Sequence, residues 1–155
     1  MDLTFEVEQN AKLNVRVAAL IHYQDNYFIS KREDKDYYSL TGGRINYFED
    51  SKTAILRELK EELDWNIASS NIKLVRVIEN FFTYLDGTKF HEYLFIYDIS
   101  VGEEYFQKGN FINLENPHMH MLWYPKEDFL KLNIKPDIIK SIITDDTLKH
   151  QIITE

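Results

Sequence analysis

The chain has 155 residues, with 26 Asp and Glu against 18 Lys and Arg for a formal net charge of −8, which argues against broad nucleic-acid binding, DNA included, and against an anionic membrane surface. A small phosphorylated ligand stays open, because a bound divalent cation inverts the local field. The absence of cysteine excludes disulfides, thiolate zinc sites and cysteine nucleophiles, and fits a reducing compartment.

In chain order, Leu3, Phe5 and Val7 alternate with polar residues and predict a short half-buried strand. The opening MDLTFEVEQN has neither the basic region nor the apolar core of a signal peptide. Leu13 to His22 begins as alternation and becomes the continuous run Val17 to Ile21, as expected of a strand covered on both faces. That run is the longest purely apolar one and falls far short of a membrane span, so a cytoplasmic protein is expected. Asp25-Asn26 predicts a hairpin turn into Tyr27–Ser30, and Lys31 to Asp36, KREDKD, a solvated loop.

Ser51 to Leu63 is rich in helix formers, holds no Gly or Pro, and has Asp50 or Ser51 available as N-cap. Beyond it, Ile72 to Tyr84 predicts a long strand, and Asp86-Gly87 a hairpin into Phe90–Ile99. His118 to Tyr124 predicts another strand, followed by a short helix from about Lys126. A final helix is expected with Pro136 at its first position and Ile138, Ile139, Ile142 and Ile143 in one stripe. With no repeat or linker, the pattern predicts one domain over residues 1–155, a mixed α/β fold with a mixed sheet between helices.

The helix at Ser51–Leu63 carries the chemistry. Glu58, Glu61 and Glu62 fall in one sector, beside the apolar stripe of Ile55, Leu56, Leu59 and Leu63. A charged helix face is by itself usually a solvated face, and its carboxylates repel one another, with Arg57 placed to offset part of this. The upstream context changes the reading: Gly42-Gly43 follow an apolar, aromatic segment, and Glu49 stands between them and Arg57.

The segment GRINYFEDSKTAILRELKEELDW, Gly43 to Trp65, resembles the signature of the Nudix hydrolases (MutT-like), G-x5-E-x7-R-E-U-x-E-E-x-G-U, where U is a bulky aliphatic residue. Gly43, Glu49, Arg57, Glu58, Leu59, Glu61 and Glu62 match it, while Asp64 replaces the second glycine and Trp65 an aliphatic residue. Upstream, Tyr38 and Thr41 replace the tryptophan and proline of the frequent W-x-L-P-G-G. Aspartate tolerates the left-handed backbone that favours glycine at a helix exit, so these departures are expected to be structural.

The resemblance implies an α/β/α sandwich and a Mg²⁺-dependent, or Mn²⁺-dependent, hydrolysis of a phosphoanhydride in a nucleoside diphosphate linked to a group X, or in a nucleoside triphosphate. It implies Glu58, Glu61, Glu62 and the Gly42 carbonyl as metal ligands, and Glu49 with Arg57 as the ion pair orienting loop and helix. Glu61 is the choice for general base, with Glu103, Glu104 and Glu115 as carboxylates that could complete the site from a loop. A diphosphate held by such ions needs little covalent chemistry from the protein.

Substrate contacts are expected from Arg44, Arg32 and Arg16 to phosphate, and from Tyr38, Phe81 or Phe82 to a base, although an aromatic on a strand is more often core. His91-Glu92 precedes an apolar run, so one of the two faces the sheet surface and needs a partner or a ligand there. His118 and His120 read as surface residues. Alternative readings are a catalytically silent nucleotide sensor of the same fold, a hydrolase of an RNA 5′ end, and a hydrolase of a non-nucleotide diphosphate. The 14% aromatic content leaves room for a homodimer without requiring one.

Overall fold

A strand that is apolar on consecutive residues must be covered on both faces, and the strand holding Val17 to Ile21 is the hub of the molecule. A computed structural model of the chain describes residues 1–154. It begins with β1 (Thr4–Glu8), β2 (Ala11–Tyr23), β3 (Asn26–Arg32), β4 (Tyr38–Ser39), β5 (Thr41–Arg44) and the helix α1 (Ser51–Leu63). It continues through β6 (Ile72–Thr83), β7 (Lys89–Ser100), α2 (Glu103–Phe106), β8 (Phe111–Ile112), β9 (Met119–Pro125) and α3 (Lys126–Phe129). A 3-10 helix (Asp137–Ile143) and β10 (Lys149–Thr154) complete it.

The strands form one mixed sheet in the order β10-β6-β7-β2-β3-β9-β8, with β1 and β5 also on β2 and β4 on β3. β2 runs parallel to β7 from Ala11↔Lys89 to His22↔Ser100, and β10 runs parallel to β6; the remaining pairs are antiparallel. Period-two alternation sends Val17, Ala19 and Ile21 into a core with Ala54, Ile55, Leu59 and Leu63 of α1. Ala18 and Leu20 enter a second core on the other face, beneath Phe129 of α3 and Ile139 and Ile142 of the 3-10 helix. The result is the expected α/β/α sandwich. Among the described residues no helix is long and apolar enough to cross a membrane.

Several local expectations change. The β2–β3 turn is Gln24-Asp25, one residue early, with Gln24 in the left-handed region at φ 51. β1 forms on the first residues of β2, Ala11 to Asn14, but Phe5 and Val7 are exposed there. Lys31 and Arg32 extend β3 instead of opening the loop. The final helix is 3-10, and Pro136 is its N-cap, not its first residue.

β10 was not expected from the sequence at all. It is tied down by Arg76, buried on β6, which donates to the carbonyls of Asp145 and Thr147 just before it.

Candidate active site

α1 starts and stops where its cap residues dictate. The Asp50 carboxylate accepts from the Thr53 backbone N–H at 2.8 Å, which satisfies an orphan donor of the first turn and holds the Asp50 pKa down. Asp64 takes the left-handed C-cap conformation at φ 58, ψ 34, and Trp65 N–H reaches back to the Leu59 carbonyl at 3.3 Å. The carboxylate of Asp64 also pairs with Lys60. Trp65 is buried against Phe28, Tyr105 and Trp123, so an aromatic core replaces the aliphatic contact of the family pattern.

Arg57 organises the charged face. It grips Glu49 with two bonds, Nε to Oε2 at 2.8 Å and Nη2 to Oε1 at 2.9 Å, a bidentate geometry stronger than a simple ion pair. Nη2 also donates to the Arg44 carbonyl at 3.1 Å, and Nη1 donates to Glu58 at 3.0 Å and Glu61 at 3.1 Å. The Glu49 Oε1 accepts once more, from Asn46 N–H at 3.0 Å. Arg57 therefore holds the Glu49 pKa down, and Glu49 above all raises that of Arg57.

Glu58 and Glu62 lie one helical turn apart in contact, and both are withdrawn from water. Glu58 is 8% exposed; burial raises its pKa, against the opposing pull of Arg57. Glu62 is pushed up to about 8, by burial first and then by the neighbouring Glu58, while Asn113 opposes by donating from Nδ2 at 3.2 Å. Glu61 points outward to Arg57 with 43% of its side chain exposed.

Two adjacent carboxylates, both withdrawn from water and one raised further by its neighbour's charge, fit a divalent cation with a preference for oxygen ligands. Among the described residues no three acidic or imidazole groups yet enclose a cation; Arg57 bonds both Glu58 and Glu61.

The glycines are required by closeness. A Cβ on Gly42 would lie 2.0 Å from the Val17 carbonyl oxygen, and one on Gly43 would lie 2.4 Å from Glu58 Oε1. The β2–β5 register sets Gly42 beside Ala18 and Gly43 beside Val17, so this backbone runs against β2 on one side and Glu58 on the other.

Two cavities open here. The larger, about 520 Å³, is lined by Gly43, Glu58, Arg16, Arg44 and Glu92, with Phe82, Tyr84 and Phe90 at its aromatic end. The smaller, about 250 Å³, is lined by Gly42, Glu62, Ser30, Ser39, Thr41, Asn113 and Glu115, and Arg16 reaches it too.

The expected substrate residues divide accordingly. Arg16, Arg44 and Glu92 gather at the larger cavity, and Phe82 joins them there. Arg32 does not: it pairs with Asp34 at 2.8 Å and lines neither cavity. Tyr38 is also elsewhere, its hydroxyl 3.2 Å from that of Tyr124 and its ring packed on the core beneath α3. Phe81 packs at a tilt against His91, on the opposite face of β7 from Glu92.

Of the loop carboxylates, Glu115 lines the smaller cavity, while Glu103 and Glu104 lie on α2 away from both. His118 and His120 bond Glu33 at the surface. Asn113 was missed by sequence reasoning. Besides holding Glu62, its Oδ1 accepts from Glu115 and Asn116 N–H at 2.9 and 3.1 Å, a local turn that the Asn-rich segment before Pro117 could have suggested.

Comparison with known proteins agrees with this geometry. The sequence matches the NUDIX domain over residues 12–144. No curated protein matches it at a significant level. Among solved structures, it resembles the mutator MutT protein from Bacillus halodurans at TM-score 0.69 and 16% identity, over 91% of this chain and 90% of that one. It also resembles the MutT NUDIX hydrolase from Burkholderia pseudomallei at TM-score 0.63 and 20% identity, over 83% and 95%, and the MutT protein from Methanosarcina mazei at 0.59 and 18%, over 85% and 91%. At these identities the structural likeness speaks for the fold.

Proposed function

Because the chain belongs to the Nudix hydrolase family and is a Nudix-type pyrophosphohydrolase, we propose that its substrate is a nucleoside diphosphate linked to a second group, or a nucleoside triphosphate, cleaved with Mg²⁺ or in its place Mn²⁺. The observation that carries this reading is the Glu58–Glu62 pair, two desolvated carboxylates in contact beside glycine backbone. When bound, the cation neutralises phosphate charge and lowers the pKa of a coordinated water.

The chain's own residues then divide the work. Glu58 and Glu62, with Glu61 and the Gly42 carbonyl, hold the cation. Arg57, fixed by Glu49, keeps the helix and the glycine loop in register. Arg16 and Arg44 meet phosphate oxygens at the mouth of the larger cavity. Glu61, the exposed member of the three, takes the proton of the water that attacks phosphorus, and the bridging oxygen leaves with the departing phosphate. The cysteine-free composition supports a reducing, cytoplasmic setting.

The test is turnover of a panel of nucleotide diphosphate derivatives and triphosphates with Mg²⁺, beside Glu61→Gln. The parent is expected to release phosphorylated products from at least one member, and Glu61→Gln to lose about 10²-fold or more in kcat. Equal rates for parent and variant would remove Glu61 from the mechanism; no turnover with tight nucleotide binding would make the chain a sensor.

A further inference from the structure

Period two carries the face that α1 covers at Val17, Ala19 and Ile21 back along β2 to Leu13, which belongs to neither core. Phe5, Leu13, His91 and Phe81 are consecutive register partners there, across β1, β2, β7 and β6. One row further on the same face, Tyr93, Glu79 and Ile152 continue across β7, β6 and β10. Leu13, Phe81 and Tyr93 are half-buried yet pack into neither core, and Phe5 and Ile152 are 42% and 65% exposed. His91 keeps its Nε2 buried beside the Phe81 and Tyr93 rings.

A sheet face left in water is ordinarily polar, and parallel strands are ordinarily covered on both faces. Here β2–β7 and β6–β10 are the parallel pairs of the sheet, and the face they leave open is aromatic and aliphatic. Soluble monomers rarely expose a contiguous apolar patch of more than a few hundred Å². At about 4.8 Å between strands and about 3.3 Å per residue, the five strands from β1 to β10 span roughly 400 Å² in plane over about five residues. A specific interface of low to standard size takes roughly 600–800 Å² from each partner, so the patch with its rim makes one footprint.

Charge selects the occupant. Copies of a chain with a net charge of −8 repel one another, and they meet at least cost where the surface is neutral. Glu79 is the one carboxylate on the two rows, and His150 of β10 meets its Oε2 at 2.6 Å. The patch is therefore apolar with its own charge answered, and it matches itself face to face as two sheets pack, about 10 Å apart. The intervening row of Asn14, Glu92 and Asn80 turns to the opposite face, where the larger cavity lies, so such packing leaves that cavity open.

We infer that this face docks a second copy of the chain, forming a two-fold dimer of sheet on sheet with a larger cavity on each outer side.

The test is sedimentation equilibrium of the full chain from about 1 to about 100 µM. The parent is expected to pass to twice 18.5 kDa within that range. Ile152→Lys and Phe5→Lys lie at opposite ends of the patch and replace side chains already exposed in the single copy. Each is expected to raise the dimer Kd about tenfold or more, because the new charge would be desolvated. Leu130→Lys changes an exposed apolar residue at the end of α3, on the other layer, and is expected to leave Kd as it is. Because the copies repel, raising NaCl from about 0.05 to about 0.5 M is expected to tighten the dimer. A parent that stays monomeric throughout, patch variants that associate as the parent does, a dimer disrupted by Leu130→Lys, or a dimer weakened by salt would each overturn the inference.

Discussion

At Glu49 and Arg57 the charged atoms find partners inside the protein: a bidentate grip, a backbone carbonyl, a backbone N–H and two further carboxylates. At Glu58, the residue after Arg57, and at Glu62, one turn further along α1, the same residue type is withdrawn from water, set beside other carboxylates and raised in pKa, even though Arg57 donates to Glu58. The two regions use one chemistry in opposite ways. The closed network stabilises the fold and fixes geometry; the open pair costs stability until an outside charge arrives. Removing a member of each should therefore have effects of opposite sign on stability and the same sign on activity.

The largest effect is expected from Arg57→Ala. It leaves Glu49, Glu58 and Glu61 without their shared cation, and urea unfolding should show a loss of about 2–4 kcal/mol together with loss of turnover. A destabilisation under about 0.5 kcal/mol would mean that the network is an ordinary surface pair.

Glu58→Gln comes next. Turnover should fall about 10²-fold or more, yet the melting temperature should stay level or rise, because a desolvated charge is gone. A marked drop in melting temperature would contradict the comparison.

The same contrast sets a pH dependence. Glu62, raised to about 8 in the fold, binds its proton more tightly there than in the unfolded chain. Its contribution is thus fully present below its unfolded value of about 4.3 and lost as pH rises toward 8. Glu49, held low by Arg57, has the opposite sign: its contribution is present above its unfolded pKa and lost as pH falls below about 4. With chelator, the melting temperature is expected to decline from about pH 5 to about pH 8, and Mg²⁺ to flatten that decline. A steady rise over this interval would contradict the assignment.

The smallest effect belongs to Asp64→Gly, which relieves the left-handed C-cap at φ 58 but forfeits the exposed pair with Lys60. A net gain of up to about 1 kcal/mol in urea unfolding is expected.

What could be read in advance follows the range of the forces involved. α1, its caps and its carboxylate sector are local, so Asp50, Asp64 and the Glu58/Glu61/Glu62 spacing gave them away. β2 was legible because consecutive apolar residues need two covered faces. The helix after Pro136 was legible but its 3-10 type was not, because seven residues with an isoleucine stripe satisfy either period.

β10 left no local trace, since its hydrogen bonds come from β6 and its anchor is Arg76. Arg32 seemed well placed for phosphate only until the chain path put Asp34 beside it and the cavities elsewhere. The row Asn14, Glu92, Asn80 exists only in strand register, so Glu92 could be singled out as a polar residue needing a partner while its neighbours could not be named.

The central claim is that Glu58 and Glu62 are held apart from water for a divalent cation. The most direct measurement is a Mg²⁺ titration followed at once by turnover and by melting temperature, in the parent and in the double variant Glu58→Gln/Glu62→Gln. Saturable activation with a rising melting temperature in the parent, both absent in the double variant, is the expected result. Undiminished turnover in the double variant, or in the parent under chelator, would contradict it.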